Sequence, residues 1–284
     1  MKSSATPGRA FGYPRVLSIA GSDSGGGAGI QADLKTIAAL GCYGMTAITA
    51  LTAQNTLGVR AIHPVPLQML AGQIDAVVED IGVHAVKIGM LHSADTVRAV
   101  ADAIDRHGLP HVVFDPVMIA TSGAVLIDQE AIAVLVSQLF PRAVLITPNL
   151  DEAALLVGNP LRGEADMEAA ARHLMALGAQ AVLLKGGHLA GDTVGDLLLT
   201  ADGELRWMRG PRIPTANTHG TGCTLSSAIA SHLALGSALP RAVQLAREYV
   251  RGALEAGATV RTGAGSGPLN HGYAPVPMRL NPLG

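Results

Sequence analysis

Arg15-Val16-Leu17-Ser18-Ile19-Ala20 is followed by Gly21-Ser22-Asp23-Ser24-Gly25-Gly26-Gly27-Ala28-Gly29 and then by Ile30-Gln31-Ala32-Asp33-Leu34-Lys35-Thr36-Ile37. The first block is a short apolar run and reads as a strand. The second is a glycine loop. In the third, Ile30, Leu34 and Ile37 share one face of a helix over Gly29–Leu40, and Gly44–Thr52 supplies the next strand candidate. Strand, helix and strand in this order form a βαβ unit with a right-handed crossover and a parallel sheet.

The alternation continues outward. Helices are expected over Leu67–Glu79, from the N-cap Ser93 to about His107, over Asp128–Leu139 and over Glu164–Leu177. Strands are expected at Ala85–Ile88, His111–Phe114, Ala143–Thr147 and Ala181–Leu184. Thr193–Thr200 and Glu204–Arg209 read as a hairpin turning at Asp202-Gly203. Two helices, Thr221–Leu235 and Leu239–Ala256, precede a glycine-rich tail. Apolar residues make up 49% of the 284 and aromatics only 3%, an aliphatic balance that suits parallel strands buried on both faces. Met1–Pro14 is expected to be a flexible lead-in, and residues 15–284 a single domain.

Several function classes are disfavoured. A net charge of −2 without a Lys/Arg cluster argues against nucleic acid as a partner. Cys42 and Cys223 can form neither a disulfide framework nor a zinc-type spacing. No apolar run approaches the roughly 20 residues that span a bilayer. The lead-in has no apolar segment of the signal-peptide kind, so the cytoplasm is the expected compartment.

Ligands of such sheets bind at the carboxyl ends of the strands. There the chain places Gly21–Gly29, Gln54-Asn55, Gly89-Met90, Asp115 with Val117-Met118, Asn149 with Glu152, and Lys185-Gly186-Gly187-His188. A second glycine turn, Asn217-Thr218-His219-Gly220-Thr221-Gly222-Cys223-Thr224, opens a helix marked by Leu225, Ile229 and Leu233. Either it is an ordinary turn with a small helix residue at Cys223, or its free N–H groups cradle an anion. In the second case Cys223, at the positive helix end, is expected to have a lowered pKa and to serve as a base. That suits phosphoryl transfer to a small molecule.

The first loop lacks the acidic residue about 20 residues on that a dinucleotide site needs, and it lacks the Gly-Lys-Ser/Thr of a P-loop. Asp33 either answers the helix dipole or accepts hydrogen bonds from a ligand beneath the loop. Asn149 and Glu152 form a capping pair, and at a sheet end they can also serve phosphate and water-bound Mg²⁺. Lys185, after an apolar strand, needs an anion to offset its burial. His188 and His219 read as hydrogen-bonding scaffold.

The blocks Ile19–Lys35, Thr49–Thr56, Lys87–Leu91, Asp115–Met118, Thr147–Ala153, Leu184–His188 and Thr218–Leu225, with the ending Ser266-Gly267-Pro268-Leu269-Asn270-His271, resemble the hydroxymethylpyrimidine/phosphomethylpyrimidine kinases of thiamine biosynthesis. The resemblance implies a ribokinase-like three-layer α/β/α sandwich with a mostly parallel central sheet. It also implies two ATP- and Mg²⁺-dependent steps, which take 4-amino-5-hydroxymethyl-2-methylpyrimidine to its monophosphate and then to its diphosphate. By the same resemblance Gly21, Asp33, Gln54, Met90 and Val117 line the pyrimidine pocket, and Gly220, Thr221, Gly222 and Cys223 are catalytic. Asn149, Lys185, Thr218 and Glu152 fall on the ATP side, with Glu152 on Mg²⁺ largely through water, and a homodimer is implied. A pyridoxal or pyridoxine kinase is the alternative. Thr121 and Ala124-Val125 depart from the family pattern, which often has Lys and Asp-Pro there.

Overall fold

The computed structural model describes residues 11–118, 129–187 and 191–282. In chain order the elements begin with β1 (Phe11–Gly12), β2 (Arg15–Ala20), α1 (Gly29–Ala39), β3 (Tyr43–Ile48), β4 (Ala50–Asn55), β5 (Gly58–Pro64) and α2 (Leu67–Asp80). Then come β6 (Ala85–Ile88), α3 (Ala94–His107), β7 (Val112–Phe114), α4 (Gln129–Leu139), β8 (Leu145–Ile146) and α5 (Leu150–Val157). The chain continues through α6 (Glu164–Ala176), β9 (Val182–Leu184), β10 (Thr193–Leu199), β11 (Leu205–Pro211), α7 (Thr221–Ala234), α8 (Leu239–Gly257) and β12 (Asn281–Pro282).

Eight strands make the central sheet in the order β11-β10-β9-β8-β7-β6-β2-β3. From β3 to β9 every pairing is parallel, and β10 and β11 add an antiparallel edge. Burial on both faces explains why β6, β7 and β9 are almost wholly apolar runs. Successive side chains alternate between two cores. Leu17, Ile19, Val86, Ile88, Val112 and Phe114 face one core, with α2, α3, α4 and α6 over it. Val16, Ala85 and Val113 face the other, beneath α1, α7 and α8. The result is the expected three-layer α/β/α sandwich with a mostly parallel sheet.

Two expectations give way. The run Gly44–Thr52 is not one strand. It breaks at Thr49, whose N–H bonds to Ala20 O, and β4 leaves the sheet to pair with β5 in a separate antiparallel hairpin. The lead-in is not wholly free either, since Phe11–Gly12 pairs antiparallel with Asn281–Pro282. Residues 1–10 lie outside the described residues, as do Thr121, Ala124-Val125 and His188. Among the described residues no helix is long and apolar enough to cross a membrane.

Candidate active site

The loop between β2 and α1 is organised by Asp23. Its carboxylate accepts from the N–H groups of Gly25 (2.8 Å), Gly27 (3.0 Å) and Ala28 (2.8 Å), and His219 Nε2 stands 2.9 Å from Oδ2. Burial pushes the Asp23 carboxyl up, but the His219 hydrogen bond and the loop N–H groups together hold it below the usual carboxylate range. The amides of this loop are therefore spent on the protein's own anion. Gly29 has φ +54°, and a Cβ there would stand 2.4 Å from Gly21 O. Only glycine fits.

The start of α7 differs. Gly220, at φ +85°, is its N-cap, and no side chain caps the helix. Among the described hydrogen bonds, none is donated by the Gly222 or Cys223 N–H, two first-turn donors at the positive end of the helix. Thr224 Oγ1 donates to Gly220 O at 2.9 Å and lies 3.0 Å from His271 Nε2, which ties the chain's tail to this turn. Gly220, Thr221 and Gly222 thus form an uncapped helix start, with the Thr221 N–H donated to Thr218 O. Thr218 is exposed beside it and offers its carbonyl to Thr221.

Cys223 lies at this helix end, but its pKa runs opposite to expectation. Burial pushes the thiol up to about 11, outweighing the pull of Lys87 and a Gly29 N–H, while Asp33 and Asp115 push it further up. Desolvation by the whole protein shell is stronger than the local helix end.

Asp33 requires a second correction. It is fully buried, and its oxygens accept from Lys87 Nζ at 2.9 and 2.8 Å, Ser18 Oγ at 2.5 Å and Ser227 Oγ at 2.6 Å. It is not open to a ligand beneath the loop. Its partner is a lysine 54 residues further along the chain.

Of the residues expected on the pyrimidine side, Gly21, Met90 and Gln54 lie around the first loop. A Cβ on Gly21 would come 2.6 Å from Met90 Cε, so glycine leaves room for that thioether. Gln54, at a bulge in β4, sets its amide 3.3 Å from His219 Nε2. Val117 is half-buried just past β7, its N–H bonded to Asp115 O.

On the other side of Gly222 lies an ion-pair network. Lys185 Nζ donates to Asp115 Oδ1 at 2.8 Å, and Thr147 Oγ1 donates to the same oxygen at 3.0 Å. A Cβ on Gly222 would stand 3.1 Å from Lys185 Nζ and 3.4 Å from Asp115 Oδ2. Lys185 thus meets an anion, as its burial demands. Asn149 and Glu152 form a complete capping box on α5, Asn149 Oδ1 accepting from Glu152 N–H and Glu152 Oε2 from Asn149 N–H. Burial and the nearby Asp115 push the Glu152 carboxyl up to about 7, against the pull of Lys185. A cation beside Asp115 and Glu152 would relieve this crowding, and oxygen donors suit Mg²⁺. From sequence, Asp115 and Asp23 stand only among the strand-end residues, with no role assigned, and Lys87 is not singled out. A lysine inside the four-residue apolar strand β6 was the available signal for Lys87.

The sequence profile of the family described as Phosphomethylpyrimidine kinase matches residues 23–270. The chain belongs to this family. It is 52% identical over 257 residues to the hydroxymethylpyrimidine/phosphomethylpyrimidine kinase of Rhizobium meliloti, covering 90% of this chain and 96% of that protein. Among solved structures, the phosphomethylpyrimidine kinase of Clostridium difficile is 42% identical with a TM-score of 0.75, over 84% of this chain and 99% of the other. An ADP complex of Bacillus subtilis pyridoxal kinase is 36% identical with a TM-score of 0.86, over 92% and 98%. The fold is thus shared with both kinase types, while the sequence runs closer to the first.

Proposed function

We propose that this chain transfers the γ-phosphoryl group of ATP to the hydroxymethyl oxygen of 4-amino-5-hydroxymethyl-2-methylpyrimidine, and a second group to the resulting monophosphate. One observation carries the reading. The uncapped N-terminus of α7 has the Gly27 loop and the Gln54–His219 contact on one side and the Lys185–Asp115 ion pair on the other, and a phosphoryl group would pass between them.

The Gly222 and Cys223 N–H groups take up charge as it develops on the transferring phosphoryl oxygens. Gly21, Met90 and Val117 present apolar walls to the pyrimidine ring, and the Gln54 amide supplies a polar contact. Asn149, Lys185 and Thr218 serve the ATP phosphates. Mg²⁺, when bound, neutralises phosphate charge, and Glu152 would hold it largely through water. Phosphoryl transfer needs positioning more than covalent chemistry. In the first step the alcohol oxygen bonds to the γ-phosphorus, the bond from that phosphorus to the ADP oxygen breaks, and the alcohol proton passes to the Cys223 thiolate. In the second step the acceptor is already ionised. The reading carries with it a cytoplasmic homodimer, as the family resemblance implies.

The test is ADP release with three acceptors: the hydroxymethylpyrimidine, its monophosphate and pyridoxal. Turnover of the first two supports the reading. Turnover of pyridoxal without the monophosphate would move the assignment to a pyridoxal kinase, the reading favoured by the higher structural similarity to that enzyme.

A further inference from the structure

Lys87 heads the large side chains of this fold that are wholly withdrawn from solvent. Its strand neighbours Val86 and Ile88 face the core under α2 and α3, so alternation turns the ammonium toward α1 and α7. There it meets Asp33, which also receives Ser18 from β2 and Ser227 from α7. Asp33 lies four residues past Gly29, where the glycine loop ends. Ser227 lies four residues past Cys223, one turn further on the same helical face. A Cβ on Gly89 would stand only 2.8 Å from Lys87 Nζ, so the ammonium reaches the end of β6 just below the cleft.

Burying two charges is costly, and an apolar pair of the same volume would hold these elements together equally well or better. Cohesion alone does not account for the pair. We propose that Lys87, held by Asp33, is a positioning residue for the transfer: the pair fixes the face of α7 that carries Cys223 against the glycine loop, and sets the charge that the Cys223 sulfur experiences. The charges of Lys87 from β6, Asp33 from α1 and Asp115 after β7 act on the Cys223 thiol, and Cys223 in turn acts on Lys185 after β9.

The proposal rests on the phosphoryl-transfer reading, but its test does not need turnover. In the full chain with Cys42→Ala, so that Cys223 is the sole thiol, the rate of alkylation by iodoacetamide at about pH 9 reports the thiolate fraction. Lys87→Met should slow alkylation about tenfold and Asp33→Asn should speed it about tenfold, since removing a nearby charge moves a pKa by about one unit. Shifts of opposite sign support the role. Shifts of the same sign, or none, overturn it. Should a single variant fail to fold, the double variant Lys87→Met/Asp33→Leu removes both charges at similar volume. It should fold and lose at least about tenfold in kcat for the first transfer with the KM for ATP unchanged. Wild-type kcat in that variant would overturn the proposal. Failure of ADP release by the unaltered chain would instead overturn the reaction assigned to it.

Discussion

The loop after β2 and the turn before α7 are both glycine-rich, and they touch: a Cβ on Gly220 would stand 1.8 Å from Gly27 O. In the first, Asp23 accepts three backbone N–H groups. In the second, no side chain caps the helix, and among the described hydrogen bonds none is donated by the Gly222 or Cys223 N–H. The same residue type thus builds a self-satisfied loop on one side and an uncapped helix start on the other. Glycine marks close backbone approach, and the nearest carboxylate decides whether the amides remain free.

The harshest way to break this pairing is Gly220→Ala. A side chain there meets Gly27 O and must also adopt a left-handed backbone conformation, at about 1–2 kcal/mol for the backbone alone. Pushing the turns apart misplaces the donors, so kcat should fall at least about a hundredfold. Steady-state ADP release and thermal unfolding would show both losses.

The next experiment concerns pH. If the Cys223 thiolate accepts the alcohol proton, the rate of the first transfer should rise about tenfold per pH unit through neutrality toward about 11, where the thiol titrates. The second transfer should not follow this slope. Equal profiles for the two acceptors would remove the proton-acceptor role and leave the α7 amides as the main catalytic element. Cys223→Ala should flatten the first profile and lower its rate by about 10²-fold or more.

Asp23→Asn tests the closed loop. Hydrogen bonds to a charged group contribute about 1.5–3 kcal/mol each, and asparagine keeps only part of that, so a loss of about 2 kcal/mol in unfolding free energy is expected. The Asp23 carboxyl is depressed in the folded state, so its stabilisation is present above the unfolded pKa of about 3.9 and disappears as pH falls through the lower folded value. The wild type and Asp23→Asn should therefore converge in stability in acid, as denaturant unfolding at two pH values would show. The smallest effect belongs to His219→Gln. It removes one link between the turns, for about 1 kcal/mol of stability and a minor change in kcat.

Much of this was legible in the sequence where the cause is local. The 3.6-residue spacing of Ile30, Leu34 and Ile37, the Ser93 cap and the Asn149/Glu152 capping box all act within a few residues, and each appears where expected. What escaped depends on residues brought together from afar. The β2 pairing ends at Thr49, after which β4 turns away to pair with β5, an exposed strand without a clean alternation. Asp115 and Lys185 meet across 70 residues of sequence. The Cys223 pKa shows the same division. The helix end is visible in Gly220–Cys223, but the desolvation that outweighs it belongs to the assembled interior.

The pairing of Phe11–Gly12 with Asn281–Pro282 gives the fold a nearly closed path. Strands in such a ladder run about 4.8 Å apart, a gap that a few residues can bridge. Nearby, Val276 and Arg279 donate their N–H groups to Ala39 O and Gly41 O, so the returning segment is anchored along its way to that point. From Phe11 to Pro282 the described backbone thus returns to its own starting point. Joined there and cut instead at the exposed Asp202-Gly203 turn, the polypeptide would retain all its strand pairings and both faces of the cleft.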